Sequence, residues 1–247
     1  MPADNSRVIR RLHATRLFIG KVPLDPSQAR HARDVLRLQN GAEVEVFDDH
    51  GAVASGLILL AEDNAVAVEV KHIAELAGPS TGRITVASAI PKGERADWMV
   101  EKLSELGVDA FIPLAAERSV TLPQGTTKFE RWNRISTESA KQSRRRGVMA
   151  IGKLTSLNDF LEESNPGYVL STASEVRPLT DVLVERREAV VLAIGPEGGW
   201  TEQELTRFAA KGHQQVSLTS TILRTETAAI AAATVAVLWA GRHSLAK

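Results

Sequence analysis

AVVLAIGPEGGWTEQELTRFAAKG, residues 189–212, is the stretch whose reading decides the fold. It opens with AVVLAI, an unbroken apolar run of the kind that forms a strand buried on both faces. Thr201 precedes the next periodic segment with Glu204 three residues on, which is a capping box. Trp200 and Leu205 stand where a hydrophobic staple joins them. Leu205, Phe208 and Ala209 form the expected buried stripe, and Lys211-Gly212 closes the helix. Gly195 to Gly199 are therefore a turn at the carboxyl end of a strand, the edge at which α/β proteins bind ligands.

A glycine-rich turn opening a helix suggests a phosphate site. The residues argue against one. The turn matches neither G-x-x-x-x-G-K-[ST] nor G-x-G-x-x-G, and Glu197 in mid-turn repels a pyrophosphate. An acidic turn with open backbone groups suits a neutral or cationic ligand lying against main chain. A turn used for chain geometry alone remains the plain alternative.

Working outward, strand and helix patterns alternate from residue 83 onward. RITVASAI (83–90), AFIPLA (110–115), YVLST (168–172) and QVSL (215–218) read as strands. The helices are a segment with Met99, Leu103 and Leu106 on one face ended by Gly107, then TKFERWNRISTESAKQS, PLTDVLVER, the capped helix above and TETAAIAAATVAVLWAG. This order implies an α/β domain on a mostly parallel sheet. The last helix is nearly uncharged and paved with alanine, so it must be buried. Its small side chains predict close packing against another subunit. Before residue 74 the pattern is strand-like, with AEVEVFD (42–48) and AVAVEVKH (65–72) alternating, Asp48–Gly51 as a turn and HARDVLRL (31–38) as a short helix. A small β-barrel fits residues 1–74. ELAGPSTG (75–82) is the expected linker, and 83–247 the second domain.

Lys plus Arg and Asp plus Glu are 30 each, so net charge is silent about partners. Its distribution is not. Residues 1–40 carry eight Lys/Arg against three acids, and KQSRRR at 141–146 has no acid. Such patches are either an electrostatic footprint for nucleic acid or two solvated faces. The chain has no cysteine, which removes disulfides, thiolate metal sites and a Cys nucleophile together. The first residues lack the apolar core of a secretory signal, and AAIAAATVAVLWA (228–240) is too short to span a bilayer. A cytoplasmic protein without a membrane segment is the expectation.

IGPEGGWTEQE (194–204) and ILRTETAAIAA (222–232) together resemble the two signature motifs of the RsmE family of 16S ribosomal RNA methyltransferases, which make N3-methyluridine. PKGERADWMVEKLSELGVDAFIPLAAERSV (91–120), SAKQSRRR (139–146) and HARDVLRLQNGAEVEVFDDHG (31–51) are similar to further blocks of that family, so the resemblance covers nearly the whole chain. It implies an N-terminal PUA-like RNA-binding barrel and a C-terminal SPOUT α/β domain with a deep trefoil knot. It implies S-adenosylmethionine as cofactor, no metal, a homodimer, and 16S rRNA of the small ribosomal subunit as partner.

On this sequence the resemblance implies three cofactor loops: Ser171, Thr172 and Ala173; Ile194, Gly195, Pro196, Glu197, Gly198 and Gly199; and Leu218, Thr219, Ile222 and Leu223. After the short strand the family commonly has Leu-Gly, where this chain has Leu218-Thr219-Ser220. Arg224 is the expected stabiliser of a uracil anion, with Glu197, Glu226 or an ordered water as general base, either acid being placed alternatively to orient Arg224. Arg10, Arg11, Arg16, Arg144, Arg145 and Arg146 are the expected phosphate contacts. The alternatives are another SPOUT enzyme acting on a different RNA, and a non-catalytic RNA-binding factor of ribosome assembly.

Overall fold

Two separate periodicities, strand-like early and strand–helix later, give two units, each with its own hydrophobic packing. The structure is a computed structural model that describes residues 9–74, 83–123, 125–173, 175–183 and 189–244. It divides into one unit of Met1–Pro79 with Ala140–Val148 and a second of Ser80–Ser139 with Met149–Lys247. The expected linker 75–82, and residues 184–186 at the end of the expected helix PLTDVLVER, lie outside the described residues.

The first unit is built on β1 (Arg10–His13), β2 (Gly20–Pro23), β3 (Glu43–Phe47), β4 (Val53–Leu60) and β5 (Val66–Ala74). They form one sheet in the order β1-β3-β4-β5-β2. Only β1 and β3 run parallel. Alternating apolar residues, among them Leu12, Val44, Val46, Ile58 and Val68, bury one face into a core. The expected helix at 31–38 starts and ends earlier: α1 (Pro26–Arg30) starts on Asp25, whose carboxylate accepts from the Ser27 and Gln28 amides, and continues as a π-helical turn over His31–Val35. The turn at Asp48 is held from inside. Asp48 is 3% exposed and accepts from the amides of Leu17, His50 and Ala52.

The segment 140–148, assigned by sequence to the second domain, packs in this first unit instead. Gly147 adopts φ +75°, and a Cβ there would come within 3.2 Å of the Asp49 carbonyl oxygen. Only glycine combines that dihedral with so close an approach.

The second unit carries β6 (Ile84–Ser88), β7 (Ala110–Ala115), β8 (Ala150–Ile151), β9 (Thr155–Ser156), β10 (Tyr168–Leu170), β11 (Val190–Ile194) and β12 (Gln214–Val216). Its sheet runs β12-β10-β11-β6-β7-β8, with β9 beside β7, and every pairing is parallel. The helices are α2 (Arg95–Leu106), α3 (Thr127–Gln142), α4 (Leu157–Glu163), α5 (Leu179–Leu183), α6 (Glu202–Ala210) and α7 (Thr225–Ser244).

Alternation along the strands makes two cores. Val86, Leu192 and Ile194 pack with Met99, Leu103, Trp132 and the alanines of α7, while Ala87, Val191 and Ala193 pack with Phe160 and Phe208. Helices α2, α3, α5 and α7 thus cover one face, and α4 and α6 the other. Asp97 ties α2 to α3, accepting from Lys128 Nζ at 2.9 Å and Trp132 Nε1 at 2.8 Å, with Arg131 Nε 2.7 Å away. Burial pushes this carboxyl up, but those three donors outweigh it and hold it below its ordinary value.

One expectation needs correction, and a second is narrowed. Ala209 is exposed, and the α6 face is completed by Phe208 and the buried Glu204. The alanines of α7 are spent within the chain: Ala229, Ala232, Ala233 and Ala236 are all 0% exposed against the sheet and α2. Small side chains let a helix lie close to a sheet, so the alanine paving does not itself mark a subunit contact. Among the described residues no helix is long and apolar enough to cross a membrane.

Candidate functional site

Strands β12, β10 and β11 are neighbours and parallel, so the loops leaving their carboxyl ends emerge side by side. These are the three loops singled out in the sequence, and their residues line one cleft of about 500 Å³. After β10 come Ser171, Thr172 and Ala173. After β11 come Gly195, Pro196, Glu197, Gly198 and Gly199, with Ile194 at the strand end. After β12 come Leu218, Thr219, Ile222 and Leu223. Thr219 needs no left-handed backbone, and its hydroxyl donates to the Thr221 carbonyl at 2.8 Å.

The glycine turn is held by neighbours on every side. The expected capping box forms: Thr201 accepts from the Glu204 amide, and Glu204 accepts from the Thr201 amide. Trp200 Nε1 donates to the Leu170 carbonyl at 3.1 Å, and a Cβ on Gly195 would meet the Trp200 ring at 3.0 Å. Thr225 Oγ1 donates to the Gly195 carbonyl at 3.2 Å. Arg118 donates to the Gly198 carbonyl at 2.8 Å. Gly199 takes φ +69° with open space where a Cβ would stand. Arg118, Trp200 and Thr225 also line the cleft and went unnoticed as site residues in the sequence. Trp200 was visible only as a staple, Arg118 only as part of AERSV.

The charged residues separate into two groups. Arg95, at the start of α2, reaches both acids: its Nη2 is 3.2 Å from Glu197 Oε1 and its Nη1 is 3.3 Å from Glu226 Oε1. Glu197 lines the cleft with its side chain 47% exposed, whereas Glu226 is buried and does not line it. Glu226 Oε2 is enclosed without a hydrogen-bond partner. The two carboxylates that sequence left equivalent thus differ in access. Arg224 is exposed, and among the described residues its side chain has no partner. It stands between Leu223 and Thr225, both of which line the cleft. Arg95 had no signal of its own, because its two partners lie 102 and 131 residues away.

In the first unit, Arg10, Arg16, Arg144 and Arg146 are exposed, and Arg145 is half-buried. Arg144 holds a left-handed φ of +55°. Arg11 is a correction. Its side chain is 6% exposed, with Nε 2.7 Å from Glu45 Oε1 and the guanidinium 4.1 Å above the Phe47 ring. Nη1 donates to the Ala140 carbonyl at 3.0 Å. An arginine so buried and paired is turned away from solvent, where a phosphate would lie; it helps hold the 140–148 segment.

A parallel sheet with a ligand-sized cleft at three adjacent carboxyl edges, next in sequence to a small β unit bearing exposed arginines, defines a two-part α/β protein that binds a small molecule and has cations to offer a polyanion. The chain belongs to the RNA methyltransferase family: the RNA methyltransferase domain matches residues 79–237, and the RNA methyltransferase PUA domain matches residues 24–71. Among its relatives, the ribosomal RNA small subunit methyltransferase E of Synechocystis is 36% identical over 84% of this chain and 69% of its own. The protein of the same name from Bacillus subtilis is 28% identical over 81% of this chain and 83% of its own. The structure of the Neisseria gonorrhoeae ribosomal RNA small subunit methyltransferase E, bound to S-adenosyl methionine, superposes with a TM-score of 0.79 at 29% identity, covering 91% of this chain and 95% of that one. A methyltransferase of Legionella pneumophila in complex with the bound cofactor SAM gives a TM-score of 0.82 at 28% identity, over 92% and 96%.

Proposed function

We propose that this protein transfers a methyl group from S-adenosylmethionine to N3 of a uridine in 16S rRNA of the small ribosomal subunit, acting in the cytoplasm. The observation that carries this reading is the single cleft lined by all three loops, in a chain whose relatives bear the name of a small-subunit rRNA methyltransferase. The cleft fits the cofactor on chemical grounds. Leu170, Ile194, Leu218 and Leu223 offer apolar surface for an adenine, the turn offers main-chain groups, and Glu197 offers one anion to a cationic ligand. Gly199 leaves open the space that a side chain would fill.

Bound there, S-adenosylmethionine supplies a methyl already activated on a sulfonium sulfur, so no metal is required. The chain's own task is to position the uracil and to help N3 lose its proton. Glu197 is the general base of this reading, because it is the carboxylate that lines the cleft. Glu226 acts through Arg95, whose guanidinium it shares with Glu197. Arg224 stabilises the negative charge that deprotonation spreads over the two uracil carbonyl oxygens. A base in structured RNA reaches such a cleft by leaving its stack, at a cost of about a few kcal/mol. Arg10, Arg16, Arg144 and Arg146 contact phosphates, the PUA unit being the RNA-binding part.

The C-terminal chain of this reading forms a trefoil knot. In support, β12 lies at the sheet edge beyond β10, yet the helix that follows it packs on the central strands β6 and β11. A homodimer belongs to the same reading, supported by apolar side chains left in water, Leu238 at 63% and Ile222 at 86% exposed. Sedimentation at micromolar concentration should give twice the chain mass, and a monomer removes the dimer from the reading.

The deciding experiment incubates the protein and labelled S-adenosylmethionine with small subunits lacking the modification, then maps the methylated nucleoside. Label in N3-methyluridine of 16S rRNA is the expected result; label elsewhere, or none, overturns the reading. Gly199→Val should abolish cofactor binding in titration calorimetry while the fold persists. A β-branched residue at φ +69° is strained, and its side chain points into open space where the ligand would lie. Unchanged affinity removes that turn from the cofactor site.

A further inference from the structure

We propose that Arg118 is the anion subsite of the cleft and holds the α-carboxylate of the methionine part of S-adenosylmethionine. The inference rests on the cofactor reading above and assigns one end of the ligand within it. Arg118 is the one cation among the residues lining the cleft, and Glu197 the one anion. The amino-acid end of the cofactor carries a carboxylate that must be neutralised when water leaves, and among the lining residues Arg118 carries the charge to do so.

The guanidinium is already aimed. Nη1 donates to the Gly198 carbonyl at 2.8 Å, and among the described residues its other nitrogens have no partner. The stem runs along the turn: a Cβ on Gly198 would come within 3.3 Å of Arg118 Cβ and Cδ, so glycine there leaves the arginine its path. The loop that carries Arg118 is fixed by a buried acid. Glu204, 3% exposed, accepts from the Glu117 amide at 2.8 Å, and Thr201 Oγ1 donates to Glu117 Oε2 at 3.3 Å. Ser119 closes the loop by donating its amide to the Ala116 carbonyl and accepting from the Ala116 amide, each at 3.0 Å. A planar fork with free donors, held on a rigid loop, suits a planar carboxylate bidentately. The same loop–turn contact joins Arg118 to the backbone beside Glu197, so cation and anion flank one turn and read opposite charges of one ligand.

The test is a cycle between side chain and ligand group. Titration calorimetry compares S-adenosylmethionine with its decarboxylated form, which keeps the sulfonium and the amine, on wild type and on Arg118→Met. In the wild type, loss of the carboxylate is expected to weaken binding by roughly 10- to 100-fold, the range of a charge-assisted hydrogen-bond pair. Arg118→Met should weaken S-adenosylmethionine by a similar factor, leave the decarboxylated form unchanged, and so erase the discrimination. Arg118→Lys should restore part of it. Discrimination that survives in Arg118→Met places the carboxylate elsewhere and overturns the proposal. Equal weakening of both ligands overturns it too, since Arg118 then acts only by propping the turn. Unchanged affinity for both with weakened RNA binding makes Arg118 a phosphate contact, and the proposal falls. A wild type that binds neither ligand overturns the cofactor reading itself, a result distinct from all of these.

Discussion

Arg224→Ala is expected to slow methyl transfer by about 10²–10³-fold at saturating RNA, by analogy with removal of one oxyanion-hole donor. The expectation follows from where the residue stands. It is flanked by two cleft-lining residues, Leu223 and Thr225, at the point where the loop becomes α7. Its guanidinium is exposed and without a partner among the described residues, so nothing in the free protein competes for it. Arg95, by contrast, is already shared between Glu197 and Glu226. A charge contact made only as the uracil becomes an anion lowers the barrier without adding ground-state affinity. Single-turnover kinetics at saturating RNA, beside RNA and cofactor affinities, makes the distinction. If Arg224→Ala changes affinity alone, the residue is a binding contact, and the catalytic group is to be sought elsewhere, beginning with Glu197 and Glu226. Arg224→Lys should recover part of the rate, since a point charge remains but the planar fork does not.

Ala232→Glu is expected to cost about 3–5 kcal/mol of stability, the usual loss for an uncompensated buried charge. Ala232 is 0% exposed in the core that joins α7 to β6, β11 and α2. Its neighbours on that face are apolar, so an inserted carboxylate finds neither room nor a donor. Against a typical total of about 5–15 kcal/mol, this removes a large fraction of the folding free energy. Urea unfolding followed by circular dichroism checks it, as a fall in the transition midpoint. An unaltered midpoint with a change only in oligomeric state would return this residue to a subunit contact, as the alanine-rich sequence first suggested. The test therefore separates a core role from an interface role for the same residue.

The sequence determined the local features whose causes are local. A capping box needs two residues three apart, and Thr201 and Glu204 form it. A helix stop needs one glycine, and Gly107 caps α2. The buried β11 and the turn after it were readable because five consecutive apolar residues and a run of glycines leave few other choices. Grouping the three loops came from the family resemblance; its physical reason, strands β12, β10 and β11 lying side by side, is a matter of topology.

Tertiary structure alone decided what depends on distant partners. The KQSRRR segment reads as part of the second domain because it continues from the end of α3, but Gly147 and the Asp48–Gly51 turn draw it into the first unit. Arg11 and Arg10 are adjacent and chemically identical, yet a strand sends neighbours to opposite faces, so one is buried on Phe47 and the other is exposed. Glu197 and Glu226 were interchangeable on paper; burial of Glu226 and the shared Arg95 made them unlike. The alanines of α7 announced close packing but not with what, because a small side chain fits a sheet and a subunit equally well. Burial, charge pairing and partner choice are properties of the space around a residue, and that space is assembled only when segments more than a hundred residues apart meet.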